Sequence, residues 1–336
     1  MLRRTCDTTS LAIGIEVQQN ARMNTQRLGT SDLVCTRLSY GNMRSAGTWT
    51  VGEATPQRRA AGVAAHVAAL EAGYTLFDTA DIYCHRVCEE ILGAFLRQVS
   101  GARKQIVIAT KCGIRFENDP SPGAPHRFDF SKEHILSSAE RSLKTMGIET
   151  IDLFQLHRPD VLMNPPEVAE AFDELQRTGK VRYFGVSNFL PSQFSALQKH
   201  LRQPLIVNQV EIHLGRLDCF EDGTLDQCLE RSITPLAWSP LGGGWLGTGR
   251  APRLSDSRHA HKQWVLHELD AVAAEYGISR SVIAVAWLLK HPSGIIPIIG
   301  SNNPENIREC AKADAISLTR EQWYRLLLAA RAKPMP

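Results

Sequence analysis

Three short apolar runs in this chain stop at a residue that chemistry does not place casually at the end of a buried strand. Leu76-Phe77 stops at Asp78, Gln105 to Thr110 stops at Lys111, and Ile151 to Leu156 stops at His157. Amphipathic segments separate them. Strands that alternate with helices return to the same sheet edge by right-handed crossovers, which makes the sheet parallel. A carboxylate at a buried strand end is costly unless a cation or several donors meet it. The next run supplies that cation, so the ends of these strands belong side by side.

The unit recurs along most of the chain. Strands are expected at Thr36–Tyr40, Tyr74–Phe77, Gln105–Thr110, Ile151–Leu156, Val181–Val186, Leu205–Gln209, Ile233–Trp238 and Ile295–Ile299. Eight units close a sheet on itself, and the fold class is an α/β (β/α)8 TIM barrel. Pro235 and Pro297 weaken its last two strands by removing ladder donors. Helix signals punctuate the runs: Thr55-Pro56 opens a helix with Val63, Val67 and Leu70 on one face, Ser131 caps another, and Asn164-Pro165 starts a third. Later helices are expected at Pro191–Lys199, Thr224–Arg231, Lys262–Tyr276 and Pro304–Ala311. An N-terminal hairpin around Arg27–Val34 precedes the barrel, and a C-terminal extra helix opens at a Thr319–Gln322 capping box. A doubly wound sheet is the competing architecture, but its Gly-x-Gly-x-x-Gly turn after an early strand is missing.

Composition narrows the partners. The 336 residues are 43% hydrophobic with a net charge of +3, too even a balance for a nucleic-acid stripe, so the expected partner is a small molecule. Eight scattered cysteines without a Cys-x-x-Cys pair read as reduced thiols of a cytoplasmic protein. No run reaches the roughly 18 apolar residues of a membrane helix. Residues 1–22 read as a leader, disordered or a misassigned start, and 23–336 as one barrel domain. The state is expected to be monomeric or weakly homo-oligomeric.

In a barrel these strand ends meet at one mouth. Asp78, Lys111 and His157 end the second, third and fourth strands, with Tyr83 on the loop after the second. A phenol donates its proton to an alkoxide readily only where its anion is stabilised, and a lysine ammonium does that. Asp78 would orient Lys111, and His157 would donate to a carbonyl oxygen. Together the four describe a carbonyl-reducing site. The long segments Ile114–Phe130 and Leu241–His261 would cover it.

At this point the chain resembles the aldo-keto reductases. Asp78-Thr79-Ala80-Asp81-Ile82-Tyr83, Lys111 and Leu156-His157 fall in that family's order and spacing, as do Gly185-Val186-Ser187-Asn188, Asn208-Gln209 and Trp238-Ser239-Pro240. Within the family it is similar to the bacterial YdhF-type oxidoreductases, through His157-Arg158-Pro159-Asp160 and Gly223-Thr224-Leu225-Asp226-Gln227. The resemblance implies reduction of an aldehyde or ketone with Tyr83 as general acid, and a nicotinamide dinucleotide, NADP(H) ahead of NAD(H). It places Ser187, Asn188 and Gln209 at the carboxamide and Trp238 against the nicotinamide. Ser239, Leu241, Gly242 and Gly243 would follow the pyrophosphate, and Gly300, Ser301, Asn302, Asn306 and Glu309 the adenosine end. Gly41, Asn42 and Met43 join the cofactor set, and Arg250, Arg253, Arg258 or Arg308 would meet a 2′-phosphate.

Each residue also has an ordinary reading. Asp78–Lys111 is a structural ion pair elsewhere, Tyr83 a half-buried phenol, Trp238 core packing, and Ser187-Asn188 a helix cap. Joint placement at consecutive strand ends favours catalysis. The rival function is a nicotinamide-binding regulatory module with little turnover. His259-x-His261 has metal-ligand residue types but sits in an expected loop with no nearby carboxylate, and no metal is expected.

Overall fold

The computed structural model describes residues 23–249 and 251–333, so the expected leader and Arg250 lie outside it. A hairpin comes first, Thr25–Arg27 (β1) antiparallel to Val34–Thr36 (β2). Eight parallel strands then close a barrel: Ser39–Gly41 (β3), Leu76–Asp78 (β4), Val107–Cys112 (β5), Ile151–Leu156 (β8), Val181–Ser187 (β9), Leu205–Glu211 (β10), Thr234–Trp238 (β11) and Ile296–Ile299 (β12). A two-stranded ribbon, Ile114–Arg115 (β6) with Arg127–Phe128 (β7), lies in the long loop after β5.

Side-chain alternation explains what reaches the mouth. Leu76, Val107, Ala109, Leu153, Val207, Leu236, Ile296 and Ile298 fill the barrel interior, and Leu28 and Leu33 of the hairpin join that cluster as its floor. The intervening Phe77, Ile108, Phe154 and Leu156 belong instead to the layer between barrel and helices. A period of two carries the inward set from Leu76 to Asp78, from Ala109 to Lys111 and from Leu153 through Gln155 to His157. Apolar interior thus gives way to polar mouth within one or two residues.

The outer layer runs Pro56–Glu71 (α1), Val87–Gln98 (α2), Ala102–Gln105 (α3), Lys132–Met146 (α4), Pro165–Arg177 (α5), Pro191–Gln198 (α6), Thr224–Arg231 (α7), His259–Tyr276 (α8), Arg280–Leu289 (α9), Pro304–Ala311 (α10) and Arg320–Arg331 (α11). The expected caps form. Thr55 accepts from the Arg58 N–H at 3.3 Å, Ser131 from the His134 N–H at 3.3 Å, and Thr319 and Gln322 bond reciprocally at 2.8 and 3.1 Å. No single helix among the described residues is long and apolar enough to cross a membrane.

Several expectations need correction. The first barrel strand is Ser39–Gly41 rather than Thr36–Tyr40, because Val34–Thr36 pairs with β1. The fully buried residues of α1 are Gly62, Ala65, His66, Ala68, Ala69 and Leu70, and the expected Val63 and Val67 pack half-buried beside them; the small residues let the helix approach Ser45 and Ile91 closely. Helix α9, buried at nine of its ten positions, carries no polar stripe and was not anticipated. Helix α8 begins at His259, so the His-x-His pair sits in its first turn. His259 contacts the Arg253 carbonyl at 3.0 Å and His261 the Ala329 carbonyl at 2.9 Å. Pro235 and Pro297 stand inside strands that are paired on both sides.

Candidate active site

Lys111 is fully buried, and its ammonium is the hub of the mouth. Nζ donates to Asp78 Oδ2 at 2.7 Å, to the Thr79 carbonyl at 2.7 Å and to the Tyr83 hydroxyl at 3.3 Å. Its three donors are therefore spent on a carboxylate, a peptide oxygen and the phenol, which is how a buried ammonium stays charged. The other oxygen of Asp78 accepts from Gln209 Nε2 at 2.7 Å, across the barrel from β10.

The network continues past Gln209. Ser187 Oγ donates to the Gln209 carbonyl at 2.8 Å, Asn188 Nδ2 to Ser187 Oγ at 2.7 Å, and Trp238 Nε1 to Asn188 Oδ1 at 3.0 Å. One hydrogen-bonded chain thus joins Trp238 to Tyr83 around the mouth. Asn188 adopts a positive φ of 61°, and Ser239, just beyond Trp238, one of 53°. Left-handed backbone at non-glycine residues concentrates where a site fixes side-chain direction. Both facts were hidden from the sequence, which gave Gln209 a ligand role only.

Electrostatics set the protonation states. Burial raises the Tyr83 pKa and the Lys111 charge opposes that rise, leaving a neutral phenol at neutral pH. Burial pulls Lys111 down, but Asp78 and Tyr83 outweigh it and its pKa is raised overall. His157 is pushed well below its ordinary value by burial, then by the Lys111 and Arg158 charges. It is a neutral imidazole, with one ring N–H to donate. Its ring lies edge-on to Tyr83 with centroids 5.8 Å apart.

These groups open into a cleft of about 510 Å³. Asp78, Tyr83, His157, Ser187, Asn188, Gln209 and Trp238 line one part of it. Gly41, Met43, Ser239, Leu241, Gly243, Gly300, Ser301, Asn306 and Glu309 line the rest. Three expected cofactor residues lie off that wall. Asn42 is buried with its Nδ2 3.4 Å from His66 Nε2, Asn302 donates to the Arg44 carbonyl, and Gly242 lines an adjoining hollow of about 390 Å³ with Arg253 and Lys262. Arg308 is paired with Glu71 at 3.2 Å. Wall residues given no site role by the sequence include Arg44, Trp49 and Arg158, while Ile114 comes from one of the two expected covering segments. Trp49 meets Tyr83 edge-on at 6.2 Å. Cys84 and Cys88 beside the loop are both buried. No group of three or more His, Cys, Asp or Glu placed to hold a metal occurs among the described residues.

The molecule is thus an eight-stranded parallel barrel with a Lys-bridged carboxylate and phenol at its mouth, and sequence comparison places it among oxidoreductases. The aldo/keto reductase family model matches residues 37–327, and the chain belongs to that family. It is 38% identical over 317 residues to a 6-dehydroglucose reductase of Novosphingobium aromaticivorans, spanning 93% of this chain and 97% of that protein. It is 40% identical over 268 residues to oxidoreductase YdhF of Escherichia coli, spanning 80% of this chain and 86% of that one. The solved glycerol dehydrogenase of Gluconobacter oxydans superposes with a TM-score of 0.80 at 25% identity, over 93% of this chain and 97% of its own.

Proposed function

We propose that the protein reduces an aldehyde or ketone to an alcohol with hydride from NADPH, Tyr83 supplying the proton. The observation that carries this reading is the Lys111 ammonium held between Asp78 and the Tyr83 hydroxyl at the floor of the cleft.

The cleft suits an extended dinucleotide. Its wall runs from the Tyr83–His157 end to Asn306 and Glu309, a donor-and-acceptor surface continuous with the backbone of Ser239, Leu241 and Gly243. Gly243 has a φ of 70° and open space where a Cβ would stand, so a ligand can approach its backbone closely. Ser187, Asn188 and Gln209 would hold the carboxamide end. Gln209 Nε2 spends one of its two N–H donors on Asp78, so its side-chain oxygen and its second N–H are what it offers a ligand. Arg253, in the hollow next to Gly242 and Gly243, is the cation best placed for a 2′-phosphate, since Arg308 is paired with Glu71 and Lys262 with Asp256. When bound, a reduced nicotinamide supplies the hydride.

The protein's own groups do the rest. The Tyr83 hydroxyl and a His157 N–H converge on a carbonyl oxygen and stabilise the negative charge that develops there. Tyr83 then delivers its proton, and Lys111 stabilises the phenolate left behind, with Asp78 and Gln209 fixing Lys111. The intact Asp78, Tyr83, Lys111 and His157 set argues against a purely regulatory module. A panel of aldehydes, ketones and sugar-derived dicarbonyls, assayed by loss of NADPH absorbance beside NADH, is expected to show turnover with NADPH preferred. Cofactor that binds without oxidation by any carbonyl would contradict the reading.

A further inference from the structure

Two of the four charged groups on the cleft wall are answered within the protein. Asp78 is bonded to Lys111 and Gln209, and Glu309 to Lys312 at 2.6 Å. Two guanidinium groups are not. Arg44 and Arg158 line the cleft, and among the described residues neither lies within salt-bridge distance of a carboxylate or donates a side-chain hydrogen bond. Acids near Arg158 are engaged otherwise. Asp160 accepts from the Phe130 and Leu162 N–H groups at 3.0 and 2.9 Å, and Glu211 faces His213 at 3.3 Å and Arg216 at 3.9 Å.

The two arginines sit at different ends. Arg44 follows Met43, and its carbonyl takes the Asn302 amide, which places it by the Gly300–Asn306 wall. There the cofactor's own phosphates are the natural counter-charge. Arg158 follows His157 and lies half-buried over the Trp238 ring, its Cζ 5.3 Å from the ring centroid. That is the end where the carbonyl is reduced. Five N–H donors on a partly desolvated, stacked guanidinium form a fork that matches a carboxylate in two parallel bonds.

We infer that Arg158 is the anion subsite of the substrate pocket and that the enzyme prefers carbonyl compounds carrying a carboxylate, an oxo-acid or acid-aldehyde. This rests on the reductase reading and adds the substrate class to it. The carboxylate on Arg158 anchors one end of the substrate while its carbonyl oxygen meets Tyr83 and His157. The indole of Trp238, also on the cleft wall, lies under the guanidinium and holds it there by a cation–π contact.

The test compares 4-carboxybenzaldehyde with its neutral isostere 4-nitrobenzaldehyde in the wild type, Arg158→Lys and Arg158→Gln, using kcat/KM ratios so that intrinsic aldehyde reactivity cancels. Loss of a charge-assisted pair predicts that Arg158→Gln loses about 10- to 100-fold with the carboxylate substrate, mainly through KM, and changes little with the nitro compound. Arg158→Lys, which keeps charge but not the fork, should fall between. Equal losses for both aldehydes would mean that Arg158 acts through Trp238 or His157 and would overturn the subsite, as would no loss. If the wild type reduces neither aldehyde, the reductase reading is judged by the wider carbonyl panel. Calorimetric binding of 4-(hydroxymethyl)benzoate to the NADP-loaded protein then decides the subsite: binding weakened in Arg158→Gln upholds it, and equal or absent binding overturns it.

Discussion

Lys111 shows how much one residue can be asked to hold. It is a fully buried cation with a fully engaged partner, and the value of such a pair lies in not breaking it. Replacing Lys111 by Met leaves Asp78 buried with only Gln209 against it, and should cost about 3–5 kcal/mol in urea unfolding. Adding Asp78→Leu should recover part of the loss by removing the stranded charge. A loss below about 1 kcal/mol would instead mark a pair that behaves as if exposed to water. At this scale the sequence was informative where chemistry breaks a pattern, as Asp78, Lys111 and His157 do at the ends of apolar runs. It was silent on the bond from Gln209 to Asp78, because the two are 131 residues apart and meet only when the barrel closes. Arg158 stood in a motif already singled out, yet that no carboxylate among the described residues comes within salt-bridge distance of it is a property of the fold around it.

Elements were legible in proportion to their amphipathicity. Helix α4 has a polar face, a Ser131 cap and Gly147 in a left-handed C-cap, and its limits follow from those signals. Helix α9 has Ser279 at its N-cap position but no side-chain cap bond, no glycine C-cap and no polar face: enclosed at nine of ten positions, it has no period to read. Helix α1 was legible through Val63, Val67 and Leu70, which do pack against the core, but the fully buried Gly and Ala face beside them carries no apolar signal. That face yields a prediction. An ideal Cβ on Gly62 would stand 2.4 Å from the Ser45 carbonyl oxygen, a backbone atom of the loop that passes under α1. Alanine gains about 1 kcal/mol in helix propensity over glycine, while overpacking of this kind costs about 1–3 kcal/mol. Gly62→Ala should therefore be net destabilising by thermal denaturation. A stabilised variant would show that the loop yields freely.

Over the whole molecule, closure of the barrel puts titratable groups where water cannot reach them, and acid stability should record it. His66 is completely buried against Tyr40, Phe77 and Phe95 and is pushed down to about 4 by burial, with a partial offset from its bond to the Gly62 carbonyl. Its folded pKa lies below the unfolded one, so its contribution to stability is present above about pH 6.5 and is lost as pH falls toward 4. The size is about 3 kcal/mol. His134, also near 4, acts in the same direction. Asp81, pushed up to about 6 by burial despite Arg86 and Ser138, acts oppositely: its contribution is present below the unfolded pKa and is lost as pH rises through 6. His66→Leu should flatten the fall in unfolding free energy between pH 7 and pH 4 by about 3 kcal/mol. An unchanged slope would mean that His66 is not held neutral.

The central claim is that Tyr83, poised by Lys111, gives its proton to a carbonyl oxygen as hydride arrives. It is tested most directly by single-turnover oxidation of pre-bound NADPH on mixing with aldehyde, in the wild type and in Tyr83→Phe. The account predicts unchanged cofactor affinity and a rate about 100- to 10,000-fold slower in the variant. A Tyr83→Phe protein that oxidises NADPH within a few-fold of the wild-type rate, by about the margin of any conservative change, would contradict it.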